Sequence, residues 1–110
     1  MSTSSVEIKI EHLELEDKFE DAIRSPKLVV IDFYAPWCAP CKVIAKDIEE
    51  FSQTYKDSVL FYKVNVDEYP DLADGVSGLP SFGFYKDGVL LEMVASSVRE
   101  KIESKIRQYV

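Results

Sequence analysis

The chain carries two cysteines, Cys38 and Cys41, held two residues apart in the stretch Phe33-Tyr34-Ala35-Pro36-Trp37-Cys38-Ala39-Pro40-Cys41-Lys42. One proline precedes the pair, a second lies inside it, and the only tryptophan is its immediate neighbour. Thiols at this spacing suit three kinds of chemistry. A structural zinc ion takes four ligands in a tetrahedron, and beyond these two sulfurs the chain offers a single histidine, His12, far off in sequence. An inert cross-link stabilises through the length of the loop it closes, and this loop is nearly the shortest possible. A working dithiol couple needs one thiol activated as a thiolate and a second one within its reach.

The elements around the pair bear on the choice. Lys27 to Tyr34 is a nearly unbroken β-branched and aromatic run, the pattern of a strand covered on both faces. From Lys42 to Tyr55 the residues Ile44, Ala45, Ile48, Phe51 and Tyr55 recur at three- and four-residue steps, which predicts a long amphipathic helix. Cys38 therefore leaves a buried strand and opens a helix. Unpaired backbone N–H groups and the positive end of the helix dipole stabilise an anion there. Cys41 lies one turn inside, shielded but within reach of the first sulfur. The placement implies a division of labour in which Cys38 attacks a target disulfide and Cys41 then breaks the mixed disulfide to release the reduced target. Pro40 suits an early helical position, where its missing N–H loses no bond, and it stiffens the turn.

The rest of the chain alternates between two periods. Val6 to Ile10 reads as a short edge strand, and Leu13, Leu15, Phe19, Ala22 and Ile23 share one helical face. Val59 to Val66 is a second buried-looking strand. Glu68 to Gly78 is a short helix or turn region, with Gly75 and Gly78 at its exit. Two apolar runs between Ser81 and Val94 flank Lys86-Asp87-Gly88, a hairpin signal. Val98, Ile102, Ile106 and Tyr109 are spaced for one face of a closing helix. The order β-α-β-α-β-(α)-β-β-α predicts an α/β fold with a central mixed sheet flanked by helices, residues 1–110 forming one domain.

Composition narrows the partners. With 46% hydrophobic and 12% aromatic residues, the 30% charged residues read as the solvated surface of a folded chain. A formal net charge of −7 argues against nucleic acid or anionic lipid, which draw on clustered Lys and Arg. No segment approaches the roughly 18 apolar residues of a membrane span, no basic stretch leads into a long apolar one near the start, and Arg107-Gln108-Tyr109-Val110 is no retention signal. The expected compartment is the cytoplasm, where a close cysteine pair is more often catalytic or metal-binding than structural.

VIDFYAPWCAPCK (Val30 to Lys42), KVNVDE (Lys63 to Glu68), GLPSFGFYKDG (Gly78 to Gly88) and the closing amphipathic helix together resemble the thioredoxin family, in its order and with its spacing across essentially the whole chain. The resemblance implies a thioredoxin-like fold and a protein-disulfide reductase. It would work through a reversible Cys38–Cys41 disulfide, with no bound cofactor and no metal. Electrons would come from NADPH through a thioredoxin reductase, and the partners would be that reductase and disulfide-containing client proteins, met by a monomer. Asp32, which could by itself be a solvent-facing strand residue, matches a buried carboxyl that serves the resolving thiol as base and acid; burial would raise its pKa toward the working range. Lys63, otherwise an ordinary snorkelling strand lysine, matches a lysine near that carboxyl. Pro80 matches a proline with a cis preceding bond. The backbone of Leu79 would pair with an extended target segment, within an apolar rim of Trp37, Ala39, Pro40, Leu79 and a Val94-Ala95 turn. Trp37 could also be simple core packing, although tryptophan suits half-wet interfaces.

Some residues depart from the family pattern. Ala39 and Ala95 stand where glycine is usual, each adding a methyl where a target backbone would approach, and Tyr34 replaces the tryptophan of many bacterial members. Phe33 to Cys38 also resembles the secretory disulfide isomerases. Those usually carry histidine where Pro40 stands, so reduction is favoured here over oxidation. An isomerase or oxidase domain, and a binding module that keeps the fold without redox turnover, are the competing functions.

Overall fold

The period-two alternation of side chains along a strand decides the layering of this molecule. The computed structural model describes residues 11–12 and 16–110. In it the chain runs β1 (Glu11–His12), α1 (Glu16–Ile23), β2 (Leu28–Tyr34), α2 (Ala39–Thr54), β3 (Val59–Asn65), a 3-10 turn (Pro70–Ala73), β4 (Ser81–Lys86), β5 (Val89–Ala95) and α3 (Arg99–Tyr109). These strands form one mixed sheet in the order β1-β3-β2-β4-β5. β3 is parallel to both β1 and β2, whereas β4 is antiparallel to both β2 and β5. Parallel neighbours require a crossover, supplied by α2 between β2 and β3; the antiparallel pair β4–β5 needs only a tight turn.

That turn is Asp87-Gly88, with φ of 54° and 83°. Positive φ at both central residues matches the right-handed twist of the strands, and glycine adopts it without steric cost.

Even-numbered β2 residues and odd-numbered β3 residues face α2 and α3. Leu28, Val30, Val59 and Phe61 join Phe82 and Phe84 of β4 and pack against Ile44, Ile48, Phe51, Ile102 and Ile106. The opposite face carries Val29, Ile31, Phe33 and Val64 against Phe19, Ile23 and Leu72. Burial on both faces is why β2 reads as a continuous apolar run. Arg99 fastens α3 to α2: its guanidinium lies 2.7 Å from Asp47, pairs with Glu50 and sits 4.8 Å over the Phe51 ring.

The strand expected at Val6–Ile10, and Leu13 and Leu15 of the first helix, lie outside the described residues; the described edge strand is Glu11–His12. α2 begins at Ala39, directly after Cys38, where the helix start was expected. Val98 is excluded from the closing helix's buried face. It is the N-cap of α3 and 53% exposed, while Ile102 and Ile106 are fully buried. Val89, Leu90 and Leu91 are apolar yet exposed, because β5 is the sheet edge and the helices cover the strands inside it.

Ile102→Ala is therefore expected to lower unfolding free energy by about 2–5 kcal/mol, and Val98→Ala to leave it within about 0.5 kcal/mol, as read from urea denaturation midpoints.

Candidate active site

β2 ends at Tyr34 and α2 starts at Ala39, so the four residues between them must turn the chain from the sheet centre into a helix. Cys38 closes that turn. Its N–H donates to the Ala35 carbonyl at 3.1 Å, and its extended backbone (φ −84°, ψ 106°) makes it the N-cap of α2. An N-cap side chain accepts from an orphan N–H of the first helical turn, a role oxygen usually fills. Here the acceptor is sulfur: the Cys41 N–H donates to Cys38 Sγ at 3.2 Å. No acidic side chain occupies the first turn of α2, so nothing there competes for the positive end of the helix. Pro40, at the second helical position, has no N–H to leave unpaired. Cys38 and Cys41 are joined in a disulfide, with Cα atoms 5.3 Å apart.

Both cysteines are nearly buried, at 3% for Cys38 and 6% for Cys41, so residue exposure does not tell them apart. Position does. A cavity of about 400 Å³ behind the disulfide is lined by Cys41, Asp32, Lys63, Tyr34, Ala35 and Ala45, among others. Asp32 reaches it because the β2 alternation that sends Leu28 and Val30 toward α2 sends Asp32 there too. The carboxyl is 4% exposed and its Oδ1 has no hydrogen-bond partner. Burial raises its pKa from 3.8 to about 7, with the Lys63 charge pulling the other way. Lys63 stands opposite Asp32 in the β2–β3 register, and its Nζ lies 4.8 Å over the Tyr34 ring.

Around the disulfide, Leu79 packs on the cluster of Ala35, Cys38 and Cys41, and the Leu79–Pro80 peptide bond is cis. Trp37 is 70% exposed, its indole Nε1 donating to Asp67 Oδ2 at 2.8 Å. Ala39 and Pro40 are exposed, Leu79 is half-buried and Pro80 is buried. Val94 and Ala95 form no turn: they end β5, where Ala95 pairs with Ser81 next to the cis proline. Val94 points the other way, into the core with Phe82 and Ile102, and lends no side chain to the rim. The sequence reading missed Asn65 and Asp67. Asn65 Oδ1 accepts from the N–H groups of Asp67 at 2.9 Å and Glu68 at 3.3 Å, shaping the loop that brings Asp67 to the indole. The signal was an Asn two residues before an Asp at a strand's end, which favours such a side-chain turn. Among the described residues no group of three or more His, Cys, Asp or Glu side chains is gathered to hold a metal ion.

A reversible disulfide at a helix start, backed by a buried carboxyl and faced by a cis-proline loop, defines a dithiol–disulfide oxidoreductase on a mixed α/β sheet. The family is given by the comparisons: residues 10–108 match the Thioredoxin family model, and the chain belongs to the thioredoxin family. It is 42% identical over 92 residues to Thioredoxin-1 of Schizosaccharomyces pombe, covering 82% of this chain and 88% of that protein. Thioredoxin-2 of Saccharomyces cerevisiae is 39% identical over 104 residues, covering 92% and 99% respectively. Among solved structures, the crystal structure of Malassezia sympodialis thioredoxin superposes with a TM-score of 0.88 at 36% identity, covering 92% of this chain and 90% of that one. The chain is thus a protein-disulfide oxidoreductase that reduces disulfides through its paired cysteines.

The Asp32 environment fixes a pH dependence. Its pKa is higher folded, about 7, than the ordinary 3.8. Between these values the folded chain holds a proton that the unfolded chain has released, so stability falls as pH rises from 4 to 7 and is level above. The loss is on the order of 4 kcal/mol. Relative to Asp32→Asn, the wild type is expected to lose stability across that window in urea denaturation; parallel pH curves for the two proteins would contradict the assignment.

Proposed function

We propose that Cys38 is the attacking thiol, Cys41 the resolving thiol and Asp32 the group that takes and returns the resolving thiol's proton. The observation that carries this reading is the asymmetry of the pair. Cys38 sulfur caps the helix, while Cys41 lines the cavity that holds the buried carboxyl. In the reduced protein the Cys41 N–H that meets Cys38 sulfur favours a thiolate at Cys38. That thiolate attacks one sulfur of a client disulfide; the client S–S bond breaks, a mixed disulfide forms and one client thiolate departs. Asp32 accepts the Cys41 proton. The new Cys41 thiolate attacks Cys38 sulfur, forming the intramolecular disulfide and expelling the second client sulfur. Two electrons have passed to the client, and the cysteine pair is oxidised. A carboxyl with a pKa of about 7 exchanges a proton readily in either direction near neutral pH.

Client docking falls to Trp37, Ala39, Pro40, Leu79, Pro80 and Ala95. The backbone at Leu79, beside the cis bond, offers pairing to an extended client segment, with little demand on its sequence. The Ala39 and Ala95 methyls lie exposed where the segment would pass and narrow the clients accepted. A thioredoxin reductase drawing on NADPH returns the electrons, and the site of action is the cytoplasm. No described helix is long and apolar enough to cross a membrane.

Cys41→Ser is expected to accumulate mixed disulfides with client proteins, visible as thiol-sensitive adducts on non-reducing gels, and Cys38→Ser to form none. With NADPH and a thioredoxin reductase, both variants are expected to lose insulin-disulfide reduction. Native rates in both would refute the mechanism.

A further inference from the structure

Tyr34 stands two residues after Asp32 on the same strand face, and its neighbour across the register is Asn65. Asn65 uses its carbonyl oxygen on the Asp67 and Glu68 amides. The face of the Tyr34 ring receives the Lys63 ammonium at 4.8 Å from the centroid. All three side chains lie on the α2 side of the sheet, and Lys63 and Tyr34 both line the cavity that holds Asp32.

A lysine chain on a strand ordinarily extends its ammonium into water. An aromatic face offers a competing electrostatic site for that charge. We propose that Tyr34 is a positioning residue for proton transfer at Asp32: its ring holds the Lys63 ammonium in the wall of the cavity shared with the carboxyl. The ammonium favours the ionised carboxylate, the form that takes the Cys41 proton. The inference rests on Asp32 as the proton carrier, and it assigns the tyrosine at this position a task beyond filling space. The groups facing Asp32 are Lys63 from β3 and Cys41 and Lys42 from α2, with Tyr34 from its own strand; the neighbouring β4 residues Ser81, Phe82 and Gly83 bring no titratable group.

The test is the titration midpoint of the Asp32 carboxyl, followed by carboxyl-carbon NMR in the oxidised protein, where the cysteines do not titrate. Losing the held cation moves the midpoint up, whereas opening the cavity to water moves it down. Tyr34→Leu does both; Tyr34→Leu in a Lys63→Met background does only the second. The shift caused by Tyr34→Leu is expected to be more positive, by about half a pH unit or more, with Lys63 present than with Lys63→Met. Tyr34→Phe keeps the ring and is expected to hold the wild-type midpoint. Equal Tyr34→Leu shifts in both backgrounds would overturn the proposal. The unsubstituted protein gives a second reading that needs no variant to fold: the Lys63 ε-methylene protons are expected upfield of their usual position from the ring current, and their finding at the ordinary position would equally overturn it. Neither readout depends on turnover, so failure here is distinct from failure of Asp32 as the proton carrier, which the resolution rate of Asp32→Asn reports.

Discussion

The hydrogen bond from the Cys41 amide to the Cys38 sulfur is the interaction on which the rest of the site depends. It makes a sulfur atom the cap of a helix whose apolar face is fixed by Ile44, Ile48 and Phe51 in the core. The helix cannot shift without moving the cap, and the cap sits where the first-turn N–H groups converge. The reactivity proposed for Cys38 and the packing of the core thus rest on the same element. β2 completes the arrangement, delivering the chain to the turn from a position covered on both faces and fixing the Ala35 carbonyl that receives the Cys38 amide.

Asp32 shows what the site costs. A carboxyl left 4% exposed with an unpartnered oxygen destabilises the folded state once it ionises. An apolar residue at that point would continue the stripe of Leu28 and Val30. Lys63 moderates the cost without removing it, because burial outweighs the lysine's charge. A buried carboxyl with a raised pKa beside the cysteine pair supports the proton-carrying role proposed for Asp32.

Much of this was legible in the sequence. The β2 run, the α2 spacing and the Asp-Gly turn each carry a local physical signal, and the structure places all three elements as those signals imply. Asp32 was ambiguous on its own, since a strand aspartate more often faces water; its burial follows from register, which a single strand does not display. Val98 fits the periodicity of α3 yet lies outside its buried face, because capping rather than spacing decides where a helix begins. Val94 and Ala95 were assigned to a turn, and only the pairing of Ala95 with Ser81 extends β5 that far. The contacts of Asp67 with Trp37 and of Tyr34 with Lys63 join side chains remote in sequence or on different strands. No local pattern encodes them.

The helix start is proposed to make Cys38, and not Cys41, the reactive thiol. Alkylation of the reduced protein by iodoacetamide as a function of pH, with the modified residue located by mass spectrometry, tests it most directly. Modification is expected at Cys38 alone, reaching half its maximal rate at least about one pH unit below the ordinary cysteine value of about 8.5. Modification of Cys41 first, or of both residues with half-maximal rates near that ordinary value, would contradict it.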